Sequence, residues 1–177
     1  MFGRGRSLAS ADARRSAIIT RVTIVPATQA DVDEIIALIG RVFAEYRWIW
    51  VPPIEVPDLY RWTPHYEAPH GAFFVVRDGD GRLVGSVGVD HVGDGVAELH
   101  RLYLEPHMRG RGLGDALVRT IVEWCGTNAV SRLVLWSDTR FEHAHRLYER
   151  HGFRRTGERE LPEDVNDTRE YHYERLV

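Results

Sequence analysis

Residues 96–126 constrain the fold more tightly than any other stretch. An alternating strand pattern, VAELHRLYL, passes through EPHMRGRG into an amphipathic run from Leu113 to Gly126. Glycines at 110, 112 and 114 remove the side chains that would obstruct so short a passage from strand to helix. Leu113, Leu117, Ile121 and Trp124 fall on one side of the helix, which must therefore lie against an apolar layer. A strand that feeds a packed helix in this way belongs to a mixed α/β layer architecture.

The remaining segments fit that reading. RVTIVPAT, residues 21–28, alternates like a strand. Thr28 is placed to cap a helix with Asp31 in the capping-box position, and Ile35, Leu38, Ile39, Val42 and Phe43 give that helix an apolar stripe to about Tyr46. Residues 47–70 carry five prolines, which permit only short helical turns, one of them expected around Asp58–Trp62. AFFVVRD and LVGSVGVDHV read as strands joined by a DGDG turn, and GDG at 93–95 leads into the fourth strand. Downstream come a buried strand, RLVLW, a helix in EHAHRLYERHGF stopped at Gly152, and closing strands RRTGERE and YHYERLV around an acidic loop. Residues 21–177 read as one domain, and residues 1–20, rich in Arg, Ser and Ala, as a disordered arm.

Composition narrows the function classes. No apolar stretch approaches the roughly 20 residues that span a bilayer, so no membrane role is expected. Net charge of −3 argues against nucleic acid as a partner, even with an arginine-rich arm. The lone Cys125 lies near the apolar face of its helix and reads as a core thiol in a reducing, cytoplasmic setting. The sequence leaves a homodimer open.

The glycine loop is not a Walker motif, since Gly114 is followed by Asp115 and Ala116 rather than Lys and Ser or Thr. Nor is it a dinucleotide fingerprint, because the third glycine of that pattern would fall at Asp115. What remains is R-x-x-G-x-G at Arg109–Gly114, opening a helix whose first N–H groups are unpaired and carry the positive end of the dipole. A pyrophosphate would fit there, and so would a plain strand-to-helix turn.

The run AELHRLYLEPHMRGRGLGDALV, followed by LVLW and AHRLYERHGF, resembles the GNAT superfamily of acyl-CoA-dependent N-acyltransferases. The resemblance covers roughly Val22–Val177 and is most specific over Glu98–Phe153. It implies a mixed, mostly antiparallel sheet with helices on both faces and a splayed central pair of parallel strands. It implies acetyl-CoA as cosubstrate, with no metal. Arg109, Gly110, Arg111, Gly112, Leu113, Gly114 and Asp115 would wrap the phosphates, while Leu102, Tyr103 and Leu104 would offer main-chain hydrogen bonds to the pantetheine arm. Tyr148 matches the tyrosine that lies near the coenzyme sulfur, but Phe141 stands where many relatives carry a cofactor-touching asparagine.

Making an amide from a thioester needs a neutral amine, and an alkyl ammonium near pKa about 10 must first give up a proton. Glu98, eleven residues before Arg109, matches the spacing of the glutamate base in the histone-acetylating branch of the family. In regular alternation Glu98, His100, Leu102 and Leu104 share one strand face, so Glu98 or His100 is the candidate base. Each has a plainer reading, as a carboxylate paired to an arginine and as a hydrogen-bonded imidazole. Tyr148 would protonate the leaving thiolate, or simply pack in the core. The acceptor would meet the aromatic, proline-rich segment with Trp48, Trp50 and Trp62, the acidic 160–170 loop, and Asp138 and Arg140. The alternatives are a tryptophan cluster that staples a loop and a surface Asp138–Arg140 turn. The expected function is N-acetyl transfer from acetyl-CoA to the primary amine of a small molecule or peptide terminus by direct attack in a ternary complex. A non-catalytic acyl-CoA-binding sensor or interaction module is the second reading.

Overall fold

The structure, a computed structural model, describes residues 22–177. The arm expected over residues 1–20 lies outside them.

Strand β1 (Thr23–Pro26) leads into helix α1 (Val32–Glu45), and three short helices follow: α2 (Pro52–Glu55), α3 (Pro57–Tyr60) and α4 (Trp62–Tyr66). A meander of β2 (Gly71–Arg77), β3 (Leu83–Gly93) and β4 (Val96–Leu104) precedes α5 (Leu113–Thr127). The chain closes with β5 (Arg132–Asp138), α6 (Glu142–Arg150), β6 (Arg154–Glu160) and β7 (Arg169–Leu176). The strands form one seven-stranded sheet in the order β1-β2-β3-β4-β5-β7-β6. Every neighbouring pair is antiparallel except β4–β5. No helix among the described residues is long and apolar enough to cross a membrane.

Local chemistry sets the ends of these elements. The Thr28 N–H donates to Asp31 Oδ2 at 2.8 Å while Ala30 N–H donates to Thr28 Oγ1 at 3.3 Å, so the capping pair opens a single 3-10 turn that runs into α1. Pro52 and Pro57 occupy the first positions of α2 and α3, where a missing N–H costs nothing. Gly152 takes a left-handed φ of 80° just past α6 and ends it.

The two sheet faces are covered by different helices. On one face α1, α3 and α4 bury Ile35, Leu38, Leu59, Trp62 and Tyr66 against Phe73 and Val75. On the other, α5 and α6 bury Leu117, Ile121, Cys125 and Leu147 against Leu133 and Leu135. Burial pushes the Cys125 thiol up to about 11, which keeps it protonated and inert.

Two features of β4 shape the centre of the sheet. It pairs with β5 only at Val96/Arg132, Ala97/Leu133 and Glu98/Val134, after which the two parallel strands diverge. It also carries a bulge: Ser86 on β3 faces Tyr103 while Gly88 faces His100, so two steps on β3 match three on β4. Arg101 sits in the bulge at φ 55°, its carbonyl accepting from Ser86 Oγ at 2.7 Å and its guanidinium paired with Asp58 of α3. The bulge corrects the expectation of regular alternation. Leu102 and Leu104 join Ala97 and Leu99 on the α5 side, whereas Tyr103 packs with the α1 side, because one extra residue reverses the parity of everything after it.

Candidate active site

The diverging strands open a cleft of about 1200 Å³ that runs from the glycine loop, along the carboxyl half of β4, to the loop between β6 and β7. At the loop end Gly110 and Gly112 take φ values of 72° and 77°, and a Cβ at either would meet nothing within 4 Å. These glycines therefore answer a backbone demand and leave the main chain open to close approach. Gly114 differs, since a Cβ there would lie 3.1 Å from Leu147 Cδ2, so its smallness lets α5 lie close to α6. None of the six consecutive N–H groups from Gly110 to Asp115 donates to an acceptor among the described residues; the first such bond is Ala116 N–H to Gly112 O at 3.0 Å. They lie at the positive end of a 15-residue helix.

The arginines of the loop divide the work. Arg109 Nε and Nη2 donate to Leu104 O at 3.0 and 2.8 Å, and the same guanidinium holds Glu45 of α1 at 2.8 and 2.9 Å. Its side chain thus latches the end of β4 to α1 and occupies Leu104 O. Arg111 is exposed and has no ion-pair partner among the described residues. Asp115 is held by His151 at 3.0 Å and Arg150 at 3.4 Å.

Glu98, His100 and Tyr148, the candidate proton carriers, line the same cleft. Burial pushes the Glu98 carboxyl above the usual carboxylate range, and the charges of Asp90 and Glu170 add to the shift. Glu98 Oε1 lies 3.6 Å from His100 Nδ1, while His100 Nε2 is 2.7 Å from Asp90 Oδ1. His65 Nδ1 holds the other Asp90 oxygen at 2.7 Å. Burial alone would raise the Asp90 carboxyl, but the hydrogen bonds and charges of His100 and then His65 outweigh it and hold it below the usual range. Tyr148 is 5% exposed, its ring 5.7 Å from Phe153 and 5.9 Å from Tyr173. Its hydroxyl has no hydrogen-bond partner among the described residues, and burial pushes its pKa far up, so it remains a proton donor. The Tyr148 ring packs in the core, and the residue also lines the cleft.

The far end is aromatic and acidic. Phe141 packs edge-on to Tyr46 at 5.1 Å and Trp48 at 5.2 Å and lines the cleft with both. Of the three expected acceptor tryptophans only Trp48 lies there. Trp62 is 2% exposed in the core, because α4 docks it between Tyr66 and Phe73. Trp50 packs on Phe43 at 4.7 Å and over Gly40, where a Cβ would fall 2.8 Å from its Nε1. Asp138 and Arg140 form a closed turn, with Nε on Oδ1 at 2.8 Å and Nη2 on Oδ2 at 2.5 Å. Arg140 Nη1 also donates to Asn166 O at 3.1 Å. Asn166 in turn ties the two walls together, accepting from Ile49 N–H at 2.8 Å and donating to Ile49 O at 3.0 Å. Asp90, His65, Asp58 and Asn166 escaped the sequence reading; an aspartate near the end of the apolar run LVGSVGVD was the one available signal.

The family described as acetyltransferase (GNAT) matches residues 40–153. N-acetylaspartate synthetase from Danio rerio is 38% identical over 104 residues, 58% of this chain and 37% of that protein. An uncharacterized N-acetyltransferase of Schizosaccharomyces pombe is 38% identical over 92 residues, 51% of this chain and 56% of that one. The chain thus spans about a third to a half of the length of these curated relatives. A crystal structure of a GNAT-family acetyltransferase from Staphylococcus aureus Mu50 superposes with a TM-score of 0.76 at 18% identity, over 88% of this chain and 99% of that one. At that identity the likeness speaks for the fold.

Proposed function

The chain belongs to the GNAT family of acetyltransferases, and from that premise we propose that it transfers an acetyl group from acetyl-CoA to the primary amine of a small molecule by direct attack within a ternary complex. The observation that carries the proposal is the run of unpaired amides from Gly110 to Asp115 at the mouth of a cleft between diverging strands. Acetyl-CoA would bring the acetyl group as a thioester.

The residues of this chain would do the rest. The loop amides would bind the pyrophosphate, and the β4 edge left by β5 would hold the pantetheine arm. Glu98, with its raised carboxyl, and His100 would take the proton of the ammonium, and the Tyr148 hydroxyl would donate to the departing sulfur. Holding amine and thioester together would supply much of the rate, since positioning alone can be worth several kcal/mol.

The acceptor end supports a small, positively charged amine. Glu55, Glu98, Glu163 and Asp164 line it, while its arginines Arg101 and Arg159 are already paired with Asp58 and Glu170. A cationic amine beside Trp48 and these carboxylates is favoured over one bearing further carboxylates. The Asn166–Ile49 tie favours a small acceptor over a peptide terminus.

Isothermal titration with acetyl-CoA, paired with a thiol-release assay over a small diamine, a neutral amine, aspartate and a peptide N-terminus, tests the proposal. Binding with fastest turnover of the diamine is expected. Binding without turnover of any amine would make the chain an acyl-CoA-binding module, and turnover of aspartate alone would overturn the charge argument.

A further inference from the structure

Asp90 and Glu98 face each other across the antiparallel β3–β4 pair, an arrangement that sets two carboxylates against each other. The His100 ring lies between them, with Nε2 on Asp90 and Nδ1 toward Glu98. Asp90 is 6% exposed and buried within the sheet, and its second oxygen is taken by His65 of α4. We propose that Asp90 is a positioning residue for the transfer, fixing His100 with its proton on Nε2 so that Nδ1 is the final acceptor of the proton shed by the amine. The inference rests on the acetyltransferase reading above.

An ionised Asp90 offers only acceptor oxygens, so His100 Nε2 must carry the hydrogen of the 2.7 Å bond. The neutral ring then keeps its lone pair on Nδ1, which has no hydrogen bond among the described residues and lies 3.6 Å from Glu98 Oε1. His65 braces the same carboxylate by donating from Nδ1. The titratable and charged groups that face His100 are Asp90 from β3, Glu98 from β4 and Asp58 from α3, with Arg101 from β4, Arg61 and His65.

The protons balance. An ammonium that becomes an amide loses two protons as its C–N bond forms and the C–S bond breaks. One ends on the sulfur as thiol, by way of Tyr148. The other passes to His100 Nδ1, directly or through Glu98, giving an imidazolium between two carboxylates. His100 also lines a second cavity of about 340 Å³ beside Arg61 and His65; solvent entering it would take the proton and restore the neutral ring.

The test combines ¹⁵N-histidine NMR on the full chain with kcat–pH profiles for the wild type, Asp90→Asn and Glu98→Gln. The wild type should show His100 as the Nε2–H tautomer, and Glu98→Gln should keep it. Asp90→Asn should disturb the tautomer, lower kcat by about 10²-fold and move the rising limb of the profile to lower pH, with a smaller change in KM. A neutral His100 protonated on Nδ1 in an active wild type would overturn this inference alone, as would a folded Asp90→Asn protein with an unchanged pH limb. An Nε2–H tautomer in a protein that turns over no amine would instead bring down the acetyltransferase reading, and the proton-carrying role with it.

Discussion

Replacing Gly112 by alanine separates what the loop does for the fold from what it does for a ligand. Gly112 has φ 77°, and a Cβ there would meet nothing within 4 Å, so the substitution creates no clash in the protein. The left-handed conformation costs an L-residue about 1–2 kcal/mol, partly offset by a stiffer unfolded chain, for a net loss near 1 kcal/mol. For a chain of this size that lowers Tm by about 2–4 °C. Gly81, in the β2–β3 turn, supplies the control, with φ 81° and equally open surroundings. Gly81→Ala should therefore lose the same stability. Only Gly112→Ala should weaken acetyl-CoA, because relaxing the loop misdirects amides whose hydrogen bonds to a charged phosphate are worth about 1.5–3 kcal/mol each. Loss of one such bond raises Kd about tenfold to a hundredfold. Thermal melts and isothermal titration of both variants provide the comparison. Equal Kd values for the two variants would refute the assignment of these amides to the coenzyme.

Three further outcomes follow from the cleft. Glu98→Gln should cut kcat by about 10²- to 10³-fold while raising Tm at neutral pH. Its folded-state pKa is raised, so above the unfolded value the buried charge costs stability, and removing it recovers that cost; for the same reason wild-type activity should climb as pH passes through the raised carboxyl range. Tyr148→Phe should lower kcat by about tenfold to a thousandfold with Tm nearly unchanged, because its hydroxyl bonds to no described residue and the ring packing is kept; a large drop in Tm with kcat intact would reverse that view. Asn166→Ala removes the tie between Ile49 and the β6–β7 loop, so kcat/KM for bulkier amines should rise relative to small ones, and an unchanged ranking across an amine panel would count against the tie as a size filter.

The elements that position the site were legible where one local signal sufficed. The Thr28–Asp31 cap, the α1 stripe and the glycine passage into α5 each depend on residues within a few positions of one another. The bulge at Arg101 was not legible, because nothing in HRLY punctuates the strand. The extra residue is held from a distance by Asp58, 43 residues away, and by Ser86, 15 away. Missing it placed Leu102 and Leu104 on the wrong face while leaving Glu98 and His100 together. The His65–Asp90–His100 chain was hidden for a similar reason, since only the β2–β4 meander and the docking of α4 bring those residues together. Trp62 looked like a binding aromatic because its proline-rich setting resembles a surface loop, yet α4 turns it into the core. Arg109 was found by its pattern, but a pattern does not say that its side chain would bond Leu104 O and Glu45.

In the proposed function the backbone amides of Gly110–Asp115 hold the diphosphate of acetyl-CoA and so deliver its thioester between β4 and β5. A crystal structure with acetyl-CoA bound measures this directly. Phosphate oxygens are expected about 2.7–3.2 Å from several of those nitrogens, with the acetyl carbon beside Glu98 and His100. Coenzyme bound elsewhere, or a loop whose amides contact only water, would contradict it.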